Sequence, residues 1–217
     1  MTFTGAIGMA CKKVIVQIVR GLALSRIHPN VLTFIGLLIN AGAAWLLAVG
    51  QFRWAGVVIL GAGLFDMVDG RVARATNRVT RFGGFFDSVL DRYSDLGLLV
   101  GLLVWYGSIN RPTYVVLTAV AMAGCVMVSY TRARAETEIP TCKVGFMERP
   151  ERVVLMIIGA LFLKMPQVLW VIAVLANLTV LHRMIFTWQE SKRLEEAQLR
   201  PSGTRAAAGA RSAEKHN

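Results

Sequence analysis

Residues 66–95 read DMVDGRVARATNRVTRFGGFFDSVLDRYSD and hold every aspartate of the 217-residue chain: Asp66, Asp69, Asp87, Asp91 and Asp95. The segments on either side are apolar, WAGVVILGAGLF (54–65) before and LGLLVGLLVWYG (96–107) after. Acids at such a junction need a reason. An ionisable group at membrane depth costs about 2.5–3.5 kcal/mol unless it faces a cavity or a partner.

Composition places the whole chain in a bilayer. Hydrophobic residues make up 55 %, mean hydropathy is +0.53, and charged residues are only 17 %, against about 25 % in soluble domains. Apolar segments fall at 31–50, 54–75, 84–107, 112–134, 153–165 and 167–187. They predict an all-α integral membrane protein with six transmembrane helices. Pro166, in LKMPQ (163–167), favours a break between the last two, with one long re-entrant helix as the alternative. Residues 1–27 carry scattered basic residues and no cleavage-site pattern, so they read as an amphipathic helix on the membrane surface rather than a signal peptide. Lys12, Lys13 and Arg20 would face the headgroups. Residues 28–190 form one bundle, and 191–217 are expected to be a disordered basic tail.

Lysine and arginine fix the orientation. Lys12, Lys13, Arg20 and Arg26 precede the first span. Arg71, Arg74, Arg78 and Arg81 lie in the second connection, and Arg132, Arg134, Lys143, Arg149 and Arg152 in the fourth. Seven more run from Arg183 to Lys215, which makes twenty on one side against Arg53, Arg111 and Lys164 on the other. Basic residues concentrate in cytoplasmic loops, so both termini are expected in the cytoplasm, with the chain in the cell's cytoplasmic membrane. The net charge of +11 follows this sidedness. It shows no aromatic-interleaved patch, so anionic lipid is the expected partner rather than nucleic acid. Cys11, Cys125, Cys142 and the three histidines match no metal-ligand spacing.

The second span runs only about twelve apolar residues, some 18 Å, before Asp66, and the third is oily only after Asp95. Both helices are therefore polar in their inner half, which calls for a cavity open to the cytoplasm. Asp66, Asp69, Gly70, Ala73 and Arg74 share one helical stripe, and Gly83, Asp87 and Asp91 share another. Two antiparallel helices can then face Asp66 and Asp69 towards Asp87 and Asp91. Four carboxylates at close range repel one another, and hard divalent cations relieve this while keeping open positions for phosphate. Simple neutralisation of Arg71, Arg74, Arg78, Arg81 and Arg92 would require neither these stripes nor the glycines on them.

Written as a pattern, residues 66–91 are D-x2-D-G-x2-A-R-x8-G-x3-D-x3-D. This resembles the signature of the CDP-alcohol phosphotransferase (CDP-alcohol phosphatidyltransferase) family, six-span membrane enzymes of phospholipid synthesis. The sequence HPNVLTFIG (28–36) resembles the family as well. The resemblance implies transfer from a CDP-linked lipid such as CDP-diacylglycerol to an alcohol, with release of CMP. It implies that Asp66, Asp69, Asp87 and Asp91 hold two Mg²⁺ or Mn²⁺ ions, and that Asp91 is also the general base. Gly70, Ala73, Arg74 and Gly83 would surround the cytidine diphosphate. A homodimer is implied in the same way. Asp95, outside the signature, is expected to support the others through a hydrogen bond or ion pair.

The acceptor is read from the arginines of SYTRARAETEIPTCKVGFMERPERVV (129–154) and from Arg183. Arginines converging beside a metal site suit an acceptor that carries phosphate. SYTRARAE followed by ERPER resembles the phosphatidylinositol phosphate synthase branch, which implies inositol phosphate as acceptor. In that branch a lysine often stands at the position of Arg132. The resemblance implies Arg132, Arg152 and Arg183 as the leading phosphate contacts, with Arg149 and Arg134 behind them. Arg132 and Arg134 are two apart on a helix and cannot both face one pocket. Glycerol 3-phosphate is the alternative acceptor, whereas serine would leave the arginines without a partner. A cation-coupled transporter would spread its acids along a path through the bilayer, and these stay in the inner half.

Overall fold

The computed structural model describes residues 29–75 and 80–199; the expected surface helix at 1–27 lies outside them. All regular structure in the described residues is helical: α1 (Pro29–Ala48), α2 (Phe52–Ala75), α3 (Arg81–Ser108), α4 (Pro112–Ala135), α5 (Arg149–Leu161) and α6 (Met165–Leu199). Each helix packs on two neighbours, in the closed order α1, α3, α4, α6, α5, α2. Leu47, Ile59, Leu102, Leu169 and Ile172 are among the fully buried residues that fill the ring.

Local chemistry sets the helix ends. Thr80 caps α3 by accepting from Gly83 N at 2.9 Å, and Pro112 opens α4, where a missing N–H costs nothing. Glu148 and Glu151 close a reciprocal capping box at the start of α5. The short turns after α1, α3 and α5 gather at one end of the bundle. Phe52 packs edge-on against Trp105 at 5.7 Å, and a Cβ on Gly56 would meet Leu161 at 2.9 Å. Closer to mid-bundle, a Cβ on Gly101 would stand 2.2 Å from the Ala44 carbonyl oxygen, so only glycine lets α3 approach α1 this closely.

Three helices, Asn30–Ala48, Pro112–Ala135 and Met165–Ala197, are long and apolar enough to cross a membrane. The other three, α2, α3 and α5, carry the five aspartates, Arg149 and Arg152. The break before Pro166 occurs, with Leu163 left-handed (φ 55°) in the turn, so the last two segments are separate helices. Two boundaries depart from expectation. α5 starts at Arg149 rather than 153, because its capping box and Pro150 begin the helix within the charged run. α6 continues to Leu199, so residues 191–199, expected in a disordered tail, are helical. Arg193 lies 3.7 Å from Glu190 one turn back, and Leu194 and Phe186 pack against the buried Ala135, Ile139 and Cys142.

The connection from α4 to α5 is sewn onto α6. Buried Thr179 accepts from the backbone N–H of Phe146 and Met147 at 3.2 and 3.1 Å and donates to Leu175 O at 2.7 Å. Gly145 (φ 126°) lies so close that a Cβ would stand 2.4 Å from Thr179 Cγ2. Thr179→Val removes the acceptor and leaves two N–H groups unpaired, at about 1–3 kcal/mol for each that stays dry. Thermal unfolding in detergent is expected to show a clear drop in Tm for Thr179→Val and a far smaller one for Thr179→Ser, which keeps the oxygen.

Candidate active site

The ring closes around two adjoining spaces at the end opposite the short turns. The first is a polar cleft of about 610 Å³ between α3, α4, α5 and α6. Asp91, Asp95, Arg92, Arg132, Glu148, Arg149, Arg152 and Arg183 all line it. The second is a groove of about 980 Å³ between α1, α2, α3 and α5, apolar along Ile59, Leu60, Leu64, Leu98, Val153 and Ile157. Asp66, Asp95, Arg149 and Pro150 lie at its polar end. Asp95, Arg149 and Pro150 line both spaces and form the wall between them.

That wall is an ion-pair network. Arg149 Nη2 lies 2.8 Å from Asp66 Oδ2 and 3.0 Å from Asp91 Oδ1, so one nitrogen joins α2 to α3. Arg152 Nη2 donates to Asp95 Oδ2 at 2.6 Å, and Arg149 Nε lies 3.7 Å from Asp95 Oδ1. Asp95 thus has the ion-pair role expected of it. The aspartates do meet arginines here, but those of α5. Arg149 precedes the apolar run of α5. Asp66, Asp91 and Asp95 surround its guanidinium and compensate its charge.

The predicted site residues separate into groups. Asp66 and Asp91 converge on one cationic nitrogen. Asp87 is exposed one turn before Asp91 on the same face of α3. Asp69, Gly70, Ala73 and Arg74 lie on the helical backbone of α2, and their side-chain surroundings fall outside the described residues. Gly83 sits at the start of α3, where a Cβ would press on Thr80 Oγ1 at 2.9 Å and Asn30 Oδ1 at 3.3 Å. Among the described residues, no three His, Cys, Asp or Glu side chains form a complete metal site. The two described acids that converge do so around a positive charge, and their oxygens are the donors that Mg²⁺ or Mn²⁺ prefers. The chemistry of these two acids fits a divalent cation.

Of the arginines, Arg132, Arg149, Arg152 and Arg183 reach the cleft. Arg134 does not: it is exposed and pairs with Glu138 at 2.8 Å, as positions two apart on a helix require. Arg183 is 1 % exposed, and its donors are committed to Val144 O at 2.8 Å, Val128 O, and Glu148 at 3.2 Å. Arg152 is 5 % exposed, with Nε and Nη1 buried and lacking a hydrogen-bond partner.

Sequence reasoning missed three members. Glu148 accepts from Arg132 at 3.3 Å and from Arg183, holding both at the cleft; its signal was its place at the head of ERPER (148–152). Arg92, named above only among the charges that the aspartates could neutralise, lines the cleft. Gly36 packs on Asp66, whose Oδ1 would lie 3.0 Å from a Cβ there. It ends the HPNVLTFIG stretch, which was the available clue.

The chain belongs to the CDP-alcohol phosphatidyltransferase family, whose model matches residues 26–189, and is thus a transferase. It is 36 % identical over 185 residues to archaetidylinositol phosphate synthase of Pyrococcus horikoshii, covering 85 % of this chain and 94 % of the relative. It is 31 % identical over 208 residues to phosphatidylinositol phosphate synthase of Mycobacterium tuberculosis, covering 90 % and 95 %. The crystal structure of that mycobacterial enzyme with CDP-DAG bound superposes with a TM-score of 0.75 at 30 % identity, over 81 % of this chain and 94 % of the other. A second, in complex with manganese and citrate, gives 0.74 at 32 % identity, over 80 % and 88 %.

A methyl at position 36 forces Asp66 to move by a few tenths of an ångström, whereas Gly42 on the same helix has nothing within 4 Å of its Cβ position. Gly36→Ala is expected to lower kcat roughly tenfold or more, because small misplacements at a reacting centre carry costs of that order. Gly42→Ala is expected to match the parent when turnover is followed by release of CMP.

Proposed function

We propose that this chain transfers a phosphatidyl-type group from a CDP-linked lipid to a hydroxyl of inositol phosphate, releasing CMP. The observation that carries the reading is the division of the acids between the two spaces. Asp66 lines the apolar groove, which suits a lipid donor, and Asp91 lines the arginine cleft, which suits a polar acceptor. Five arginines and three carboxylates line the cleft, a surplus of two positive charges that suits one phosphomonoester. The buried, unmatched donors of Arg152 point the same way. The archaetidyl and phosphatidyl relatives share inositol phosphate in their names and differ in the lipid.

In this mechanism Asp66, Asp69, Asp87 and Asp91 are the residues that would hold Mg²⁺ or Mn²⁺, two ions per site, which supply neutralisation of the donor diphosphate. Arg152 and Arg132 bind the acceptor phosphate. Arg183 keeps Glu148 and the Val144 backbone in register, so it acts mainly by positioning. Asp91, on the acceptor side, accepts the proton of the attacking hydroxyl. That oxygen bonds to the phosphorus that carries the lipid, the bond to the bridging oxygen breaks, and CMP departs with the electron pair.

We also propose that all six helices sit in the cytoplasmic membrane with the site at the inner face. Trp45, Trp54, Phe162 and Trp170, each at least 53 % exposed, cluster near the short-turn end and suit an interfacial belt. Only Arg53, Arg111 and Lys164 are basic there. α5, at about 20 Å, needs the preceding connection to complete its crossing.

Purified protein given CDP-diacylglycerol and Mg²⁺ or Mn²⁺ is expected to release CMP with inositol phosphate but not with glycerol 3-phosphate or serine. Release with glycerol 3-phosphate alone would overturn the acceptor. Asp91→Asn is expected to abolish turnover. Arg132→Ala is expected to raise the acceptor KM roughly tenfold, the scale of a charged hydrogen bond, with the donor KM unchanged.

A further inference from the structure

Arg149 stands where a cation shared by Asp66 and Asp91 would have to stand. A single nitrogen, Nη2, serves both carboxylates at 2.8 and 3.0 Å. The rest of the group is less well served, since Nε is buried without a hydrogen-bond partner. Arg152 makes a useful contrast: it is almost fully buried and fixed on Asp95 at 2.6 Å, whereas the Arg149 side chain is 28 % exposed and borders both spaces.

We propose that Arg149 is an internal competitor of the metal, a positioning residue that gathers Asp66 and Asp91 and yields their oxygens when a divalent cation binds. The proposal rests on the reading of those two acids as metal ligands. A cation about 2.1 Å from their oxygens and a guanidinium on the same oxygens would be like charges in one small, partly dry space, which repel strongly. The released side chain has somewhere to go. Asp95 Oδ1 is already 3.7 Å from Nε, and the open cleft lies beside it. There the guanidinium adds a donor for the acceptor phosphate. Metal loading therefore turns Arg149 from a clamp on two carboxylates into a contact for the second substrate, and acceptor affinity rises after the metal binds.

The test is Mn²⁺ binding to the full-length protein in detergent with neither substrate present, followed by the electron paramagnetic resonance of free Mn²⁺. Arg149→Gln is expected to bind Mn²⁺ about tenfold more tightly than the parent, the scale of one charged hydrogen bond. Arg92→Gln removes an equal charge from the same cleft. Arg92 is exposed and donates to Ser88 O, so its loss is expected to change affinity by less than about twofold. Unchanged or weaker binding in Arg149→Gln overturns the proposal, as does equal tightening in both variants. Should Arg149→Gln fail to fold, Arg149→Met, neutral and of similar length, carries the comparison. Tighter Mn²⁺ binding there supports the proposal, and parental or weaker affinity overturns it. Asp91→Asn tests the underlying reading separately: Mn²⁺ binding equal to the parent's there rejects the metal site, and the competitor role with it.

Discussion

The guanidinium of Arg149 sits between carboxylates from two other helices, and Arg152 repeats the theme one turn later on Asp95. Charges about 3 Å apart and partly withdrawn from water attract strongly, but withdrawing them is itself expensive. Such a bridge persists only where the chain has already brought its bearers together. Here the start of α5 is held from behind. Thr179 and Arg183 of α6 bind the backbone of residues 144–147, Glu148 caps the helix, and the arginines that follow can reach only α2 and α3. The apolar ring brings the acids within range, and the α4–α5 connection supplies the countercharge.

This order explains what the sequence could and could not reveal. The helices were legible because each is a long apolar run, and the acids because helical spacing groups them. Asp91 and Arg149 belong to different helices, and no periodicity relates them. Arg149 is also 83 residues from Asp66, so their contact is a product of the closed ring alone. The choice between Arg132 and Arg134 was legible as an exclusion, although not in its direction. Gly36 was legible as part of a motif but not as the residue that leaves room for Asp66. The helical extension of α6 was misread because its polar composition resembles a tail. What orders it is packing of Phe186 and Leu194 against the α4–α5 connection, which hydropathy does not register.

The partition of charge among helices has a mechanical reading. α1, α4 and α6 are apolar enough to span a bilayer by themselves. α2 and α3 are not, because they carry the aspartates, and α5 is not, because it has only 13 residues and opens on Arg149 and Arg152. A helix that is oily in one half and charged in the other is tolerated when its charged half faces an interior built by others. The neighbours of α2 and α5 in the ring are each other, α1 and α6, so each charged helix is flanked by an apolar one. Side chains such as Trp45, Val116 and Leu181 are exposed on the outside, and Asp66, Asp91 and Asp95 face the interior spaces.

The wall between the two spaces carries the most specific consequence. It consists of Asp95, Arg149 and Pro150, with Asp66 on one side and Asp91 on the other. A lipid confined to the groove and a hydrophilic acceptor confined to the cleft share no apolar or polar surface except at this wall, so only there can their reacting atoms meet. A base on the groove side would have to reach across the donor to find the acceptor's proton. Asp91, on the cleft side, has no such obstacle. Asp66 and Asp91 come from different helices and line different spaces, yet they converge on one nitrogen of Arg149. The same geometry therefore suits a centre that is approached from two directions, from the apolar groove and from the polar cleft.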